Sequence, residues 1–280
     1  MFMICSNDAG GRESRRSGTG WVRYASPMRT LILALLLALS VPALAADDGV
    51  LMFGAAGRTG SEIAKILIAR GEKVTAFVRP TSNRDALKGL PVTYVVGDVT
   101  KADDVAAAFK GKQYRVVIET LQSRRGEPTP YAPALRNLTP HAKSTGVKQV
   151  VILSSTGADH GPKDFPQINY AAFGEVMAQQ TEAEHILRDS GVGYTIIRIG
   201  AIISERGKPP HEPTGKSYLT EDVKKFSATT FGDVITQTAA CVDAQRCMNK
   251  VFVIADDSLD SELPQFICRR FAKDADKECK

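Results

Sequence analysis

The stretch Val50-Leu51-Met52-Phe53-Gly54-Ala55-Ala56-Gly57-Arg58-Thr59-Gly60-Ser61 joins a short apolar run to three glycines spaced three residues apart. A buried parallel strand is built from continuous apolar residues, and the pyrophosphate of a dinucleotide binds backbone N–H groups at a helix N-terminus. Gly54 would allow the tight turn, Gly57 the close approach of the phosphates, and Gly60 the close packing of helix against strand. The stretch therefore predicts a strand, a phosphate-binding turn and a helix.

Apolar runs and helical patterns alternate along the rest of the chain. The further predicted strands cover 73–78, 92–96, 114–118, 149–153, 194–200 and 250–254. The predicted helices cover 61–70, 103–110, 131–146, 169–190 and 229–244. Such alternation is typical of a parallel sheet with helices on both faces. We therefore predict an α/β fold, a doubly wound parallel sheet with a small C-terminal substrate-side region.

The N-terminal region has the order of a targeting signal. Arg29 precedes a run over 31–41 that is almost entirely Leu and Ala, and small residues follow up to Ala45. This order is typical of a secretory signal peptide over 28–45, and its apolar core is short for a membrane span. Cleavage after Ala45 would give a secreted or periplasmic protein without a stable membrane anchor, and an uncleaved anchor is the alternative. Residues 1–27 lack periodicity and are predicted to be a non-native upstream extension or a disordered leader.

Residues 48–256 are predicted to form one nucleotide-binding domain, and a Cys-containing tail follows over 257–280. An even number of cysteines in one region fits two disulfides in an oxidising compartment, and unpaired thiols are the alternative. Their spacing has no CxxC pair and no companion His, so no metal site is expected. These cysteines are Cys241, Cys247, Cys268 and Cys279.

The charge of the chain argues against one class of partner. The formal net charge is +5 over 280 residues, and part of it lies in the predicted leader. A nucleic-acid-binding domain carries a larger and more concentrated positive charge. We therefore expect no nucleic-acid partner.

Basic residues stand where the adenosine ribose of a dinucleotide is recognised. The second predicted strand ends at Arg79, and Arg58 lies inside the glycine turn. An acid at the end of this strand accepts from a ribose 2′-OH, whereas a base pairs with a 2′-phosphate. We therefore predict that NADP(H) is favoured over NAD(H); a solvated loop charge is the alternative for Arg79. The irregular stretch 120–130 is a candidate active-site rim or a solvated basic loop, and 203–227 is expected to be a substrate-side loop.

Four motifs share the order and spacing of one protein family. They are Gly54 to Gly60, Gly97-Asp98-Val99 after the third strand, Ser154-Ser155 after the fifth, and Ser190-Gly191-Val192-Gly193-Tyr194-Thr195-Ile196-Ile197-Arg198. Together they resemble the atypical branch of the short-chain dehydrogenase/reductase superfamily, the NmrA-like or NAD(P)H-binding group, from about Val50 to Ile254. The resemblance implies a Rossmann-like fold that binds NAD(P)(H) and a small-molecule substrate, and it leaves a protein partner possible.

The resemblance also implies roles for individual residues. In catalytic relatives a Ser after the fifth strand acts with a Tyr-x-x-x-Lys pair, and Ser155 and Tyr170 occupy the Ser and Tyr positions. The Lys is missing, because Gly174 and Gln180 stand at the two positions where relatives carry it. The implied cofactor-binding residues are Gly54, Ala56, Gly57, Arg58, Thr59, Gly60, Arg79, Asp98, Val99 and Thr120.

The missing lysine leaves the function open between three hypotheses. The first is an NADPH-dependent reductase of a small carbonyl, quinone or flavin-like substrate, and the second a non-catalytic dinucleotide-binding redox sensor or assembly factor. The third, a nucleotide-sugar epimerase, is least favoured because it needs the intact Tyr-Lys pair. With an ordinary Tyr pKa of about 10, Tyr170 would stay protonated at neutral pH and act as an acid rather than a base. Arg198 is expected to form an ion pair near the cleft.

Overall fold

Strand β1 (Val50–Phe53) is buried along its whole length and is followed directly by the glycine turn. The computed structural model describes residues 48–123, 127–203 and 213–271. The strands after β1 are β2 (Val74–Val78), β3 (Val92–Val96), β4 (Val116–Glu119), β5 (Gln149–Asp159), β6 (Tyr194–Ile199), β7 (Ala201–Ile202), β8 (Tyr218–Thr220), β9 (Ala228–Thr229) and β10 (Lys250–Ala255). The helices are α1 (Arg58–Ala69), α2 (Ala102–Phe109), α3 (Tyr131–Ser144), α4 (Tyr170–Asp189), α5 (Phe231–Cys241) and α6 (Leu263–Phe271).

The main sheet orders its strands around β1. Within the described residues it has eight strands in the order β3-β2-β1-β4-β5-β6-β10-β8. All neighbouring pairs are parallel except β10 with β8, which closes one edge. The chain leaves β1 toward β2 on one side and later returns to β4 on the other. This reversal opens a crevice at the carboxyl ends of the strands, where doubly wound sheets bind ligands.

Helices cover both faces of the sheet, because alternate residues of each buried strand point to opposite sides. Leu51 and Phe53 of β1 pack in a core with residues of α2, α3 and α4. Val50 and Met52 pack in a second core with residues of α1 and α5. The structure therefore confirms the predicted α/β, Rossmann-like doubly wound fold.

Several boundaries differ from those expected from sequence. Strand β5 continues to Asp159, six residues past its predicted end, and its pairing with β6 accounts for the first two of these residues, up to Ser155 opposite Ile199. Helix α5 begins at Phe231 rather than 229, because the Thr230 side chain caps it by accepting from the Asp233 N–H. The region expected to be a substrate-side loop, 203–227, contains β8, and β9 follows directly after it. The predicted C-terminal tail begins with a 3₁₀ helix over Asp257–Glu262 and continues into α6, and Leu263 of α6 packs with Ala201 and Ala228.

A disulfide joins Cys241 and Cys247, with 5.5 Å between their Cα atoms. Of the two possibilities left open by the sequence, disulfides or unpaired thiols, these two cysteines therefore form a disulfide. Both are buried where α5 ends. The predicted leader, the signal peptide over 28–45 and Cys279 lie outside the described residues. In the part of the chain that the structure does describe, no helix has both the length and the apolar character needed to cross a bilayer.

Candidate active site

The glycine turn is packed so tightly that two of its glycines are required by the turn itself. Gly54 has a φ of +86°, and its carbonyl accepts from the Gly57 N–H at 2.9 Å. A Cβ atom on Gly60 would lie 2.3 Å from the Gly54 carbonyl oxygen, and one on Gly54 would lie 2.8 Å from the Thr120 backbone. Any side chain at these two positions would displace the helix from the strand.

Gly57 differs, because the turn does not need a glycine there. Its φ of −77° suits any residue, it is exposed, and an added Cβ would approach only the Gly54 oxygen, at 3.1 Å. Helix α1 begins directly after it with no side-chain cap and no acidic residue in its first turn. The first N–H groups of a helix have no partner within the helix, and its dipole favours an anion at this end. The opening over Gly57 fits a phosphate group of a dinucleotide.

Thr120 closes the turn from the neighbouring strand. Its backbone N–H and its Oγ1 both donate to the Phe53 carbonyl oxygen, at 2.9 and 3.2 Å. The same Oγ1 would lie 2.7 Å from a Cβ on Gly60. Thr120 therefore holds β4 against the glycine turn while bordering the cleft described below.

Asp98 and Val99 follow β3 at the side where the adenine is expected. Asp98 Oδ1 accepts from the backbone N–H and the hydroxyl of Thr100, at 2.9 and 2.8 Å. The pKa of Asp98 is lowered, mainly because its carboxylate accepts the hydrogen bond from the Thr100 N–H. Val99 is buried, and its carbonyl accepts from Asn137 Nδ2 at 3.0 Å. These bonds give the loop after β3 a defined shape.

The two candidate 2′-phosphate residues have different environments. The Arg79 guanidinium forms an ion pair with Glu127 at 2.8 Å, and about a third of its side chain is exposed. The Arg58 guanidinium lies 3.7 Å from the centre of the Phe231 ring, a cation–π contact that steadies it beside the glycine turn. Ala56 is half-buried in the same turn.

A cleft of about 190 Å³ opens next to the glycine turn, at the carboxyl ends of β4 and β6 and beside the middle of β5. Hydroxyl, amide and apolar groups line it, and none of the lining residues that the structure describes carries a formal charge. Of the residues proposed from sequence, Thr59, Thr120 and Ser155 lie in its wall. Its described lining residues are Thr59, Thr120, Leu121, Gln122, Tyr131, Leu153, Ser154, Ser155, Gln180, Ile199, Gly200, Ile202 and Val234.

Ser155 and Tyr170 are placed differently relative to this cleft. Ser155 is half-buried in the cleft wall. Tyr170 is not one of the described lining residues, and its hydroxyl donates to the Gly161 carbonyl oxygen at 3.3 Å. Burial, followed by the charge of Asp164, raises the pKa of Tyr170. The phenol is therefore protonated at neutral pH, as expected without the lysine.

A buried polar network supports the wall behind Ser155. Arg198 on β6 and Glu184 on α4 form an ion pair through two contacts, at 3.0 and 2.6 Å, and both side chains are almost completely buried. The Ser154 hydroxyl donates to the same carboxylate at 2.6 Å. The predicted ion pair of Arg198 is therefore present, but its partner was not identified from sequence. The available signal was a glutamate one turn after Gln180 on a buried helix face.

Glu119, at the end of β4, is a second buried carboxyl group that sequence reasoning missed. It is 1% exposed, and its Oε1 accepts from the Leu121 N–H at 2.6 Å. Burial raises the pKa of Glu119 to about 8. This carboxyl is therefore mostly protonated at neutral pH, next to the loop that lines the cleft.

Comparison with known proteins links this site to one family and to several proteins of similar sequence. An uncharacterized chloroplastic protein of Arabidopsis thaliana is 28% identical over 220 residues, which cover 70% of this chain and 66% of that protein. The chain thus spans slightly less than two thirds of this relative. Sanguinarine reductase of Eschscholzia californica is 27% identical over 197 residues, covering 56% of this chain and 71% of the reductase.

Solved structures of reductases share the fold. An anaerobillin reductase from Escherichia coli O157:H7 superimposes with a TM-score of 0.62 at 24% sequence identity. The match covers 75% of this chain and 98% of the reductase chain. A short-chain dehydrogenase/reductase from Veillonella parvula, solved with NADP, has a TM-score of 0.57 at 15% identity, covering 75% of this chain and 95% of its own. The family model described as NAD(P)H-binding matches residues 54–240, from the glycine turn to the end of α5. The chain therefore belongs to the NAD(P)H-binding family.

Proposed function

We propose that this protein is an NADPH-dependent reductase of a small, uncharged carbonyl, quinone or flavin-like compound. The observation that carries the proposal is the uncapped start of α1 over Gly57, which opens beside a cleft without lining charges. The N–H groups of α1 would bind the pyrophosphate, and the nicotinamide ring would enter the cleft at the end of β4 and beside the middle of β5. Sanguinarine reductase and the anaerobillin reductase, which share sequence or fold with this chain, support a reductase.

The proposed chemistry divides between the cofactor and the chain. The bound reduced nicotinamide supplies a hydride, and the substrate then needs one proton. Ser155 would donate a hydrogen bond to the substrate oxygen from the cleft wall and stabilise the negative charge that develops there. Tyr170 would supply the proton after its hydroxyl leaves the Gly161 carbonyl, and its raised pKa suits an acid and the reductive direction.

Cofactor binding is tested most directly at Gly57. We expect Gly57→Ala to fold normally but to bind NADPH about tenfold or more weakly, because the methyl group would stand in the path of the phosphates. Fluorescence titration with NADPH measures the affinity. Gly161→Ala is the matched control, because Gly161 is exposed, lies outside the glycine turn, has no positive φ and leaves open space for a Cβ. Equal affinities of Gly57→Ala and wild type would contradict binding at this turn.

The preference for NADP(H) is proposed from Arg58, at the start of α1 in the glycine turn, and Arg79, directly after β2. We expect Arg79→Ala to weaken NADPH binding about tenfold, since a charge-assisted contact with the 2′-phosphate is lost, and to leave NADH binding almost unchanged. Titration of wild type and variant with both cofactors measures the ratio. A parallel loss for NADPH and NADH would show that Arg79 does not recognise the 2′-phosphate.

A non-catalytic dinucleotide-binding protein is the second candidate. It is favoured by the position of the Tyr170 hydroxyl on Gly161 and by Gly174 and Gln180 at the two lysine positions. Incubation of the purified protein with NADPH and a panel of carbonyls, quinones and flavins separates the two. Turnover that Tyr170→Phe abolishes supports the reductase, whereas tight NADPH binding without turnover supports a sensor or assembly factor.

We also propose that the protein is secreted or periplasmic after cleavage of residues 28–45. The disulfide between Cys241 and Cys247 supports an oxidising compartment. Because NADP(H) is scarce outside the cytoplasm, an exported reductase would have to fold around its cofactor before export. N-terminal sequencing of the mature protein tests cleavage after Ala45, and an intact start at Met28 would contradict it.

A further inference from the structure

Gln180, a residue of the cleft wall, has a buried carboxamide oxygen without a hydrogen-bond partner among the described residues. It lies on α4, is 6% exposed, and forms part of the cleft wall. Its Oε1 is completely buried and has no hydrogen-bond partner within the described residues. A buried acceptor without a partner destabilises a folded protein, and native structures contain few of them. Such an atom in a cleft wall indicates a group that finds its partner in a ligand.

Three hydroxyl groups of the cleft wall are bound to other parts of the chain. The Ser154 hydroxyl donates to Glu184, and the Thr120 hydroxyl donates to the Phe53 carbonyl. The Tyr131 hydroxyl accepts from the Ser123 N–H at 3.0 Å. These bonds hold their side chains in place, whereas no hydrogen bond among the described residues holds the Gln180 carboxamide. It can therefore turn to present either its oxygen or its NH₂ group to a ligand.

We propose that Gln180 recognises an amide edge, an N–H beside a C=O, on the molecule that occupies the cleft. A carboxamide offers one acceptor and one donor side by side, so it can form two parallel hydrogen bonds with such an edge. The uncharged lining favours a neutral partner of this kind over an ion. This inference rests on the proposed reductase function, because the same cleft would hold the nicotinamide and the substrate.

The identity of the side chain matters at this position. Proteins of the family that the sequence resembles carry a lysine here, whose ammonium group donates hydrogen bonds and accepts none. Gln180 adds an acceptor and removes a charge. The amide edge can come from two sources, the carboxamide of the cofactor's nicotinamide ring or a lactam or imide in the substrate, and ligands that differ only in this edge distinguish them.

The test compares ligand pairs on the full-length protein by isothermal titration calorimetry. One pair is NADPH and its reduced 3-acetylpyridine analogue, which lacks the amide N–H, and the other is lumiflavin and N3-methyllumiflavin, which lacks the imide N–H. We expect wild type to bind the amide-bearing member of one pair about tenfold more tightly, as expected for one or two buried hydrogen bonds. Gln180→Met should abolish this preference, because methionine has similar length but cannot replace the carboxamide.

Gln179→Met is the matched control. Gln179 also has a buried Oε1 without a partner in the described residues, but it is not one of the residues that line the cleft. Gln179→Met removes the same carboxamide group at the adjacent position and should leave the preference for the amide-bearing ligand unchanged. Gln180→Leu repeats the test if the Met variant does not fold.

Each outcome decides the inference. If wild type and Gln179→Met prefer NADPH over its acetyl analogue and Gln180→Met does not, the amide edge belongs to the cofactor. If the same pattern appears with lumiflavin and N3-methyllumiflavin, the amide edge belongs to the substrate. Absence of a preference in wild type for both pairs overturns the inference, as does a preference that survives in Gln180→Met. If NADPH does not bind wild type at all, the proposed function fails, and the flavin pair alone then decides the role of Gln180.

Discussion

Glu184→Ala is expected to lower the free energy of unfolding by about 3–5 kcal/mol, the typical cost of removing one partner from a buried ion pair. Glu184 is 0% exposed and Arg198 is 2% exposed, so the guanidinium would keep its charge away from water, with only the more distant Asp159 carboxylate, at 3.9 Å, remaining to balance it. The Ser154 hydroxyl would lose its acceptor as well. Urea denaturation followed by circular dichroism measures the change.

The same helix provides the control for this prediction. Glu182, two residues earlier on α4, forms an ion pair with Arg136 in which both side chains are about half exposed. Exposed pairs contribute at most about 1 kcal/mol, so Glu182→Ala should change stability little. Similar losses for Glu182→Ala and Glu184→Ala would show that burial of the Arg198 pair has no energetic consequence.

A double substitution separates the cost of the broken pair from the value of the intact one. Glu184→Met with Arg198→Met replaces both charges by apolar side chains of similar length. The desolvation cost of a buried pair offsets much of its attraction, so this double variant should be more stable than Glu184→Ala. If the double variant loses as much stability as Glu184→Met and Arg198→Met together, the two side chains are not coupled, which would contradict a stabilising interaction between them.

The sequence predicted the parts of the protein that depend on local patterns. Gly54 and Gly60 reflect contacts within one turn, and the buried strands reflect runs of apolar residues, so the doubly wound sheet follows from sequence alone. The predicted ion pair of Arg198 illustrates the limit. A charged residue in a buried strand signals that a partner exists, but Glu184 is found only once α4 is packed on the sheet.

Tyr170 and Gln180 show why the candidate site could be predicted only in part. The spacing that suggests a role for Tyr170 does not specify where its hydroxyl points, because this depends on the path of residues 160–169 after the extended β5. Gln180 was noted as a missing lysine, whereas its lack of partners depends on the groups packed around it in three dimensions. Glu119 gave no signal, since a glutamate at a strand end usually faces solvent.

Glu119→Gln is expected to stabilise the protein at neutral pH. Burial raises the pKa of this carboxyl from 4.5 to about 8 in the folded chain, so folding favours its protonated form. Below pH 4.5 the Glu119 carboxyl is protonated in both the folded and the unfolded chain, so its ionisation does not lower the free energy of unfolding there. The free energy of unfolding falls as the pH rises toward and through about 8, because the unfolded chain ionises first and is thereby stabilised relative to the folded one.

Glutamine has nearly the shape of a protonated glutamate, can still accept from the Leu121 N–H, and does not ionise in the unfolded chain. The advantage of Glu119→Gln should therefore be close to zero at pH 4 and reach about 3 kcal/mol at pH 7, on the scale of about 1.4 kcal/mol for each pKa unit. Urea denaturation of both proteins at pH 4, 5.5 and 7 measures this trend. Glu182→Gln, at an exposed site on α4, controls for the change in net charge. An advantage of Glu119→Gln that is independent of pH, or a loss of stability at pH 7, would show that the folded protein does not favour the protonated carboxyl.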